Sequence, residues 1–227
     1  MAVVSSCREV KNAGAADGYT DDLGVSVVGG SGGFALSGGG LLGAGSSATF
    51  SAVYNGSTAE AGLKSGTLTL GLVSKGQVGS GLADVSLAPA TVNVSATVYR
   101  PAVGVLGSTV VDLGNVHVGG EFVPGVIGVR NAVVADGYSE KLNASIGAVS
   151  GNAVAGGAGV TLLGAGQTDA SGLSVGLSGT GVAGLKSGSA RVDYVTDGTG
   201  TSGLGLLGVG SETVSVSGKV YRLAMIS

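Results

Sequence analysis

Tryptophan is missing from this 227-residue chain, cysteine and histidine occur once each, proline three times, and charged residues make up only 11%. Each shortage removes a class of protein. A lone Cys7 cannot close an internal disulfide or build a multi-cysteine zinc site. A lone His117 supplies neither a histidine metal centre nor a catalytic triad unless scattered Asp and Ser residues converge on it. Lys and Arg number 11 and lie dispersed in a chain of net charge −3, so there is no basic stripe for nucleic acid. No stretch approaches the roughly 18 apolar residues of a membrane-spanning helix. The opening "MAVVSSCREVKN" lacks the basic end, apolar run and cleavage site of a secretory signal.

What the chain has in abundance is glycine, 47 residues of it, set among Val, Leu, Ser, Thr and Ala. Glycine in a helix interior costs about 1 kcal/mol relative to alanine, so helices are poorly supported. A Gly-rich chain can instead be a disordered linker, but such linkers lack apolar residues and this one is 44% hydrophobic. Apolar and polar residues alternate over short stretches, the pattern of strands with one wet face. An all-β fold is expected.

The chain repeats itself. "VKNAGAADGYTDDL" from Val10 pairs with "VRNAVVADGYSEKL" from Val129, "LLGAG" at Leu41 with "LLGAG" at Leu162, "AGLKSG" at Ala61 with "AGLKSG" at Ala183, and "VYRPA" at Val98 with "VYRLA" at Val220. The second copy thus gains a few residues between blocks, as loops tolerate. Two homologous β-sandwich domains follow, residues 1–102 and 103–227, with several short strands separated by Gly, Asn, Asp and Ser clusters. In "TVNVSATVY" the residues Val92, Val94, Ala96 and Val98 share the inward face, and in "TVSVSGKVY" Val214, Val216, Gly218 and Val220 do. Leu68, Leu70 and Leu72 match Ala190, Val192 and Tyr194 in the same way.

The copies differ at their starts. "VGVLGSTVVDLGNVHVG", residues 103–119, precedes the second "VRN" block, whereas Met1 aligns with Gly120, so the first copy is expected to lack its leading strand or to borrow one. Arg8 stands where the second copy has Ile127, which suggests an altered or exposed sheet edge. Open edges offer unpaired backbone groups to another chain. Either the chain is a slice of a longer array, or "VVDLGNVHV" completes the first domain instead of the second.

The candidate chemical motifs each have a plain structural alternative. Asp17 and Asp136 in the repeated "ADGY", with Asp21 and Asp22 nearby, suggest calcium ligands. Asp-Gly is equally a turn signal, and no loop supplies the six to eight oxygens a calcium ion takes. Tyr19 and Tyr138 then read as packing residues whose hydroxyls reach backbone near a sandwich corner. Gly198, Gly200 and Gly203 have the G-x-G-x-x-G spacing of a dinucleotide loop, but no helix follows them. Lys64 and Lys186 follow Leu63 and Leu185, which breaks the Gly-Lys contiguity of a phosphate loop, and read as solvated turn residues. His117 alternates with Val116 and Val118 and belongs on a polar face. Glu121, Asp136 and Glu140 surround a turn without the apolar setting that tunes a catalytic acid. Asn55, Asn93 and Asn143 lie in N-x-Ser sequons. No catalytic residue, cofactor or metal is assigned.

The run "VVDLGNVHVGGEFVPGVIGVRNAVVADGYSEKL", with "DGTGTSGLG" and the closing "VYRLA", resembles the choice-of-anchor D type of bacterial repeat protein, related to immunoglobulin-like Hydin-type domains. The resemblance spans the second copy and, more weakly, the first, which departs at Arg8 and at its missing opening strand. It implies two tandem immunoglobulin-like β-sandwiches of a secreted or cell-surface protein, and it carries over no catalytic residue. The expected role is a non-enzymatic structural or adhesive module. Its partners would be neighbouring repeats or other copies of the chain through an open sheet edge, or a surface polysaccharide. Two alternatives stay open: a carbohydrate- or ligand-binding module, for which six Tyr and three Phe offer a sparse platform, and a hydrolase with a site assembled between domains.

Overall fold

The computed structural model describes residues 2–4 and 7–226, up to Arg8 by backbone alone, and these form an all-β protein. Contacts divide it into two compact units, Met1–Val98 and Tyr99–Ser227.

The first unit contains β1 (Ala2–Val4), β2 (Cys7–Lys11), β3 (Asp22–Gly30), β4 (Phe34–Ser37), β5 (Gly40–Leu42), β6 (Ser47–Tyr54), β7 (Gly62–Lys75) and β8 (Val85–Val98). They make one sheet in the order β1-β8-β7-β3-β5 and another in the order β2-β6-β4. The second unit contains β9 (Gly104–Leu106), β10 (Val110–His117), β11 (Gly125–Asn131), β12 (Lys141–Gly151), β13 (Ala153–Gly156), β14 (Val160–Leu163), β15 (Thr168–Leu177), β16 (Gly184–Asp197) and β17 (Leu207–Tyr221). Its sheets run β10-β17-β16-β12-β14 and β13-β15-β11-β9. Strands β2 to β8 thus correspond in order and pairing to β11 to β17, and each unit is sandwich-like.

Alternation decides which residues face inward. Along β8, Val94, Ala96 and Val98 are buried while Asn93 and Ser95 are exposed, and along β17 Val214, Val216, Gly218 and Val220 are buried. Burying each Val or Leu side chain contributes roughly 1.5–3 kcal/mol. In the second unit these residues join one continuous cluster that reaches from Ala102 through Ile127, Leu142, Leu173 and Val192 to Val220. In the first unit, two smaller clusters stand among the described residues, one around Phe50 and Leu70 and the other around Phe34 and Leu68.

Residues 103–119 account for much of that difference. β10 lies parallel to β17, from Val110 beside Ser215 to His117 beside Tyr221, so "VVDLGNVHV" completes the second unit's sheet. Val111, Leu113 and Val116 pack on its core. β9 pairs with β11 through Leu106↔Val129 and Gly104↔Asn131. In the first unit, the place of β10 is taken by β1, which runs antiparallel over three residues, Ala2↔Val98 to Val4↔Ala96. β2 forms the edge of its sheet. The side chains of Cys7 and of Arg8, the residue expected at an exposed edge, lie outside the described residues.

Two of the residues that the second copy adds form a bulge in β15. Ser47 and Thr168 hold matching places, as do Phe50 and Leu173, so β15 carries two more residues in between. Asp169 closes the bulge by accepting the N–H groups of Ser171 and Gly172 at 3.0 and 2.6 Å. These bonds favour the charged carboxylate and hold it below its ordinary range.

Candidate functional site

Two of the repeated sequence blocks meet in space. In the second unit, Asn131 is fully buried. Its Nδ2 donates to the carbonyls of Glu140 and Leu163 at 3.2 and 3.1 Å. Its backbone N–H donates to Gln167 O, and its carbonyl accepts from Gly166 N. In the first unit, Asn12 repeats every one of these contacts. Nδ2 donates to Asp21 O and Leu42 O at 3.0 and 3.1 Å, its N–H to Ser46 O, and its carbonyl accepts from Gly45 N. The "N-A-x-x-A-D-G-Y" and "LLGAG" strings recur together because one asparagine ties them into a corner. A buried amide must satisfy both its donor and acceptor, and here the backbone does so.

The acidic residues belong to the same corner. Asp17 and Asp136 each accept the N–H two residues on, from Tyr19 and Tyr138, at 3.0 Å. Gly18 and Gly137 take φ of 85° and 87°, the left-handed conformation that the turn requires. The turn alternative is therefore the one observed at both aspartates. Arg100 adds an ion pair of 2.6 Å to Asp136, and this guanidinium, then the Tyr138 N–H, holds the carboxyl below its ordinary value.

Glu140 corrects the expectation that no carboxylate here sits in a buried setting. It is 2% exposed, and its two oxygens accept from Thr196 Oγ1 at 2.7 Å and from Ser202 Oγ in a short contact. The first unit repeats the arrangement in smaller form, with Asp21 accepting from Ser74 Oγ at 2.8 Å. Asp22 accepts from Gln77 Nε2 at 3.1 Å, so Asp21 and Asp22 serve different partners. The Glu140 carboxylate pins the loop after β16 to the corner. Among the described residues no three of His, Cys, Asp and Glu gather to hold a metal ion.

The remaining candidates are dispersed. Gly198, Gly200 and Gly203 form a loop closed by Thr201 and Gly203 N–H groups on Gly198 O, and it leads into β17 without a helix. Asp197 beside it accepts from Thr199 and Asn143, bonds that lower its pKa, the Thr199 side chain first. Lys64 and Lys186 correct another expectation, since they stand inside β7 and β16 opposite Ala96 and Gly218 and are half-buried instead of lying in turns. His117 is exposed on β10, and Glu121 is exposed. Tyr19 departs from the packing role expected of it, for it is 94% exposed, whereas Tyr138 is half-buried with its ring 6.4 Å from that of Tyr99.

Sequence reasoning missed Asn12, Asn131, Thr196 and Arg100. The signal for the asparagines was present, because they sit inside the repeated block. Thr196 and Arg100 carried no local signal, as their partners lie 94 and 36 positions away.

Tyr194 is buried, its hydroxyl without a hydrogen-bond partner among the described residues, and burial, then the charge of Glu212, raises its pKa far above the ordinary tyrosine value. Gly104 lies flat on its ring, where a Cβ would come within 2.4 Å.

No protein-family model and no curated protein matches the chain. Among solved structures it is similar to a protein of unknown function from Porphyromonas gingivalis W83, at 17% identity and a TM-score of 0.31, over 88% of this chain and 85% of that one. A likeness of that size carries no argument about role.

Proposed function

We propose that the chain is a non-enzymatic structural or adhesive module, two tandem immunoglobulin-like sandwiches of a secreted or cell-surface bacterial protein. The observation that supports this reading is the doubled corner. Asp17, Asp136, Asp21 and Glu140, the residues a catalyst or calcium site would draw on, are bound to turns and hydroxyls in matching ways in both units. A carboxylate engaged by two hydroxyls and shielded from solvent holds structure together. The bacterial surface setting comes from the sequence resemblance alone. Repetition suits a module whose weak contacts gain strength by number.

The test is a panel of ester, glycoside and peptide substrates, run beside retention on bacterial surface polysaccharides. The expected result is no turnover, with Glu140→Gln altering stability alone. Turnover that Glu140→Gln or His117→Ala abolishes would overturn the reading.

A further inference from the structure

The second unit is completed by a segment whose counterpart the first unit lacks among its described residues. Tyr99–Ala102, the "YRPA" string, seats itself in the corner of the second unit. Arg100 donates its N–H to Tyr138 O, accepts the Glu140 N–H on its carbonyl, and pairs with Asp136. Ala102 is 2% exposed and donates its N–H to Thr196 Oγ1 at 2.8 Å. The Val103 N–H reaches Asn131 Oδ1 at 3.2 Å, and Gly104 begins the strand that pairs with β11.

Every receiving group has a counterpart in the first unit. Asp17 stands for Asp136, Tyr19 for Tyr138, Asp21 for Glu140, Ser74 for Thr196 and Asn12 for Asn131. This corner is open among the described residues. Asp17 has no ion-pair partner there, Tyr19 is exposed, and β2 is an edge strand where β11 is covered by β9.

The chain also carries a second copy of the seated segment, "YRLAMI" at residues 221–226. Here it is exposed throughout, with the apolar side chains of Leu223 at 67% and Met225 at 96%. The differences between the two segments match the differences between the two corners. Gly104 is required where Tyr194 fills the second unit; Ile226 stands at the place of Gly104, and the first unit has the smaller Leu72 at the place of Tyr194.

We infer that Arg222–Ile226 of one chain docks in the first-unit corner of a second copy, Arg222 on Asp17 and Ala224 against Ser74, with Ile226 beginning a strand on β2. The inference rests on the structural-module reading and gives that module its partner. Such a contact joins unlike surfaces, so it adds copies head to tail, into an open filament or a ring.

Sedimentation of the full chain tests it. Wild type should grow from monomer into a series of larger species as concentration rises to about 0.1–1 mM, the range of a small contact. Ala224→Arg alters a side chain that is exposed in the free chain but buried in the proposed contact, and Asp17→Arg sets like charges face to face. Each should weaken association about tenfold or more. Mixing the two variants should give a one-to-one pair and nothing larger, because one retains the tail and the other the corner. A labelled YRLAMI peptide should bind wild type and the Ala224→Arg chain but not the Asp17→Arg chain, with circular dichroism confirming that each variant is folded. A wild type that stays monomeric throughout, or association that neither substitution weakens, overturns the docking. Such a result leaves the module reading to the substrate and polysaccharide panels, whose outcome does not depend on self-association.

Discussion

The two units share their strand order, their corner and much of their sequence, yet the second has one continuous core and the first has two smaller clusters among its described residues. The difference lies less in the shared strands than in what is laid against them. Residues 99–119 give the second unit a docked segment, a fourth strand on one sheet and a long parallel strand on the other. The lesson is that this scaffold is specified by its corner and finished by a separate segment. Among the described residues the first unit keeps the shared topology with shallower packing.

The largest expected effect breaks the comparison at its shared point. Asn131→Ala removes two donated bonds, one of them fully buried, and the acceptor of Val103 N–H, and should cost about 3 kcal/mol. Asn12→Ala should cost about 2 kcal/mol, because no docked segment depends on it. Hydrogen exchange followed by mass spectrometry in rising urea reads the units separately and checks both values; equal losses would mean that the docked segment adds nothing to the corner.

A second comparison exchanges the residue at one position of the last strand. Gly218 lies under Phe122, whose ring an added Cβ would meet at 2.5 Å, while the first unit has buried Ala96 at this place. Gly218→Ala should destabilise the second unit by about 2 kcal/mol through overpacking. Ala96→Gly should destabilise the first by about 1 kcal/mol through backbone freedom. The same exchange experiment measures both.

The smallest effect is acid sensitivity. Asp136, Asp169 and Asp197 all have native pKa values below the ordinary one. The stability they add is complete above the unfolded value near 4 and is lost as pH falls through their lowered native values. The second unit's urea midpoint should therefore fall between about pH 4 and pH 2, and Arg100→Gln should flatten that slope by removing the largest cause at Asp136.

How far the sequence could be read follows from where the information lies. The alternation in "TVNVSATVY" and "TVSVSGKVY" marks inward residues directly, because a strand reverses its side chains at every step. The Asp-Gly turns were legible for the same local reason. Glu140 was not, since its burial depends on Thr196 and Ser202, which arrive from a loop that only folding brings near. The string "VYRPA" reads naturally as the tail of the first repeat, yet Ala102 is part of the second unit's core. No local pattern distinguishes an end that trails from an end that plugs.

The direction of β10 has a mechanical meaning. Tension applied at Val110 and at Tyr221 pulls two parallel neighbours past each other, so the paired residues from Val110↔Ser215 to His117↔Tyr221 bear the load together in shear. In the first unit, β1 runs against β8, and the same pull at Ala2 and Val98 peels their pairs one after another, as a zipper opens. For those two strand pairs, a pull is met in shear in the second unit and by peeling in the first.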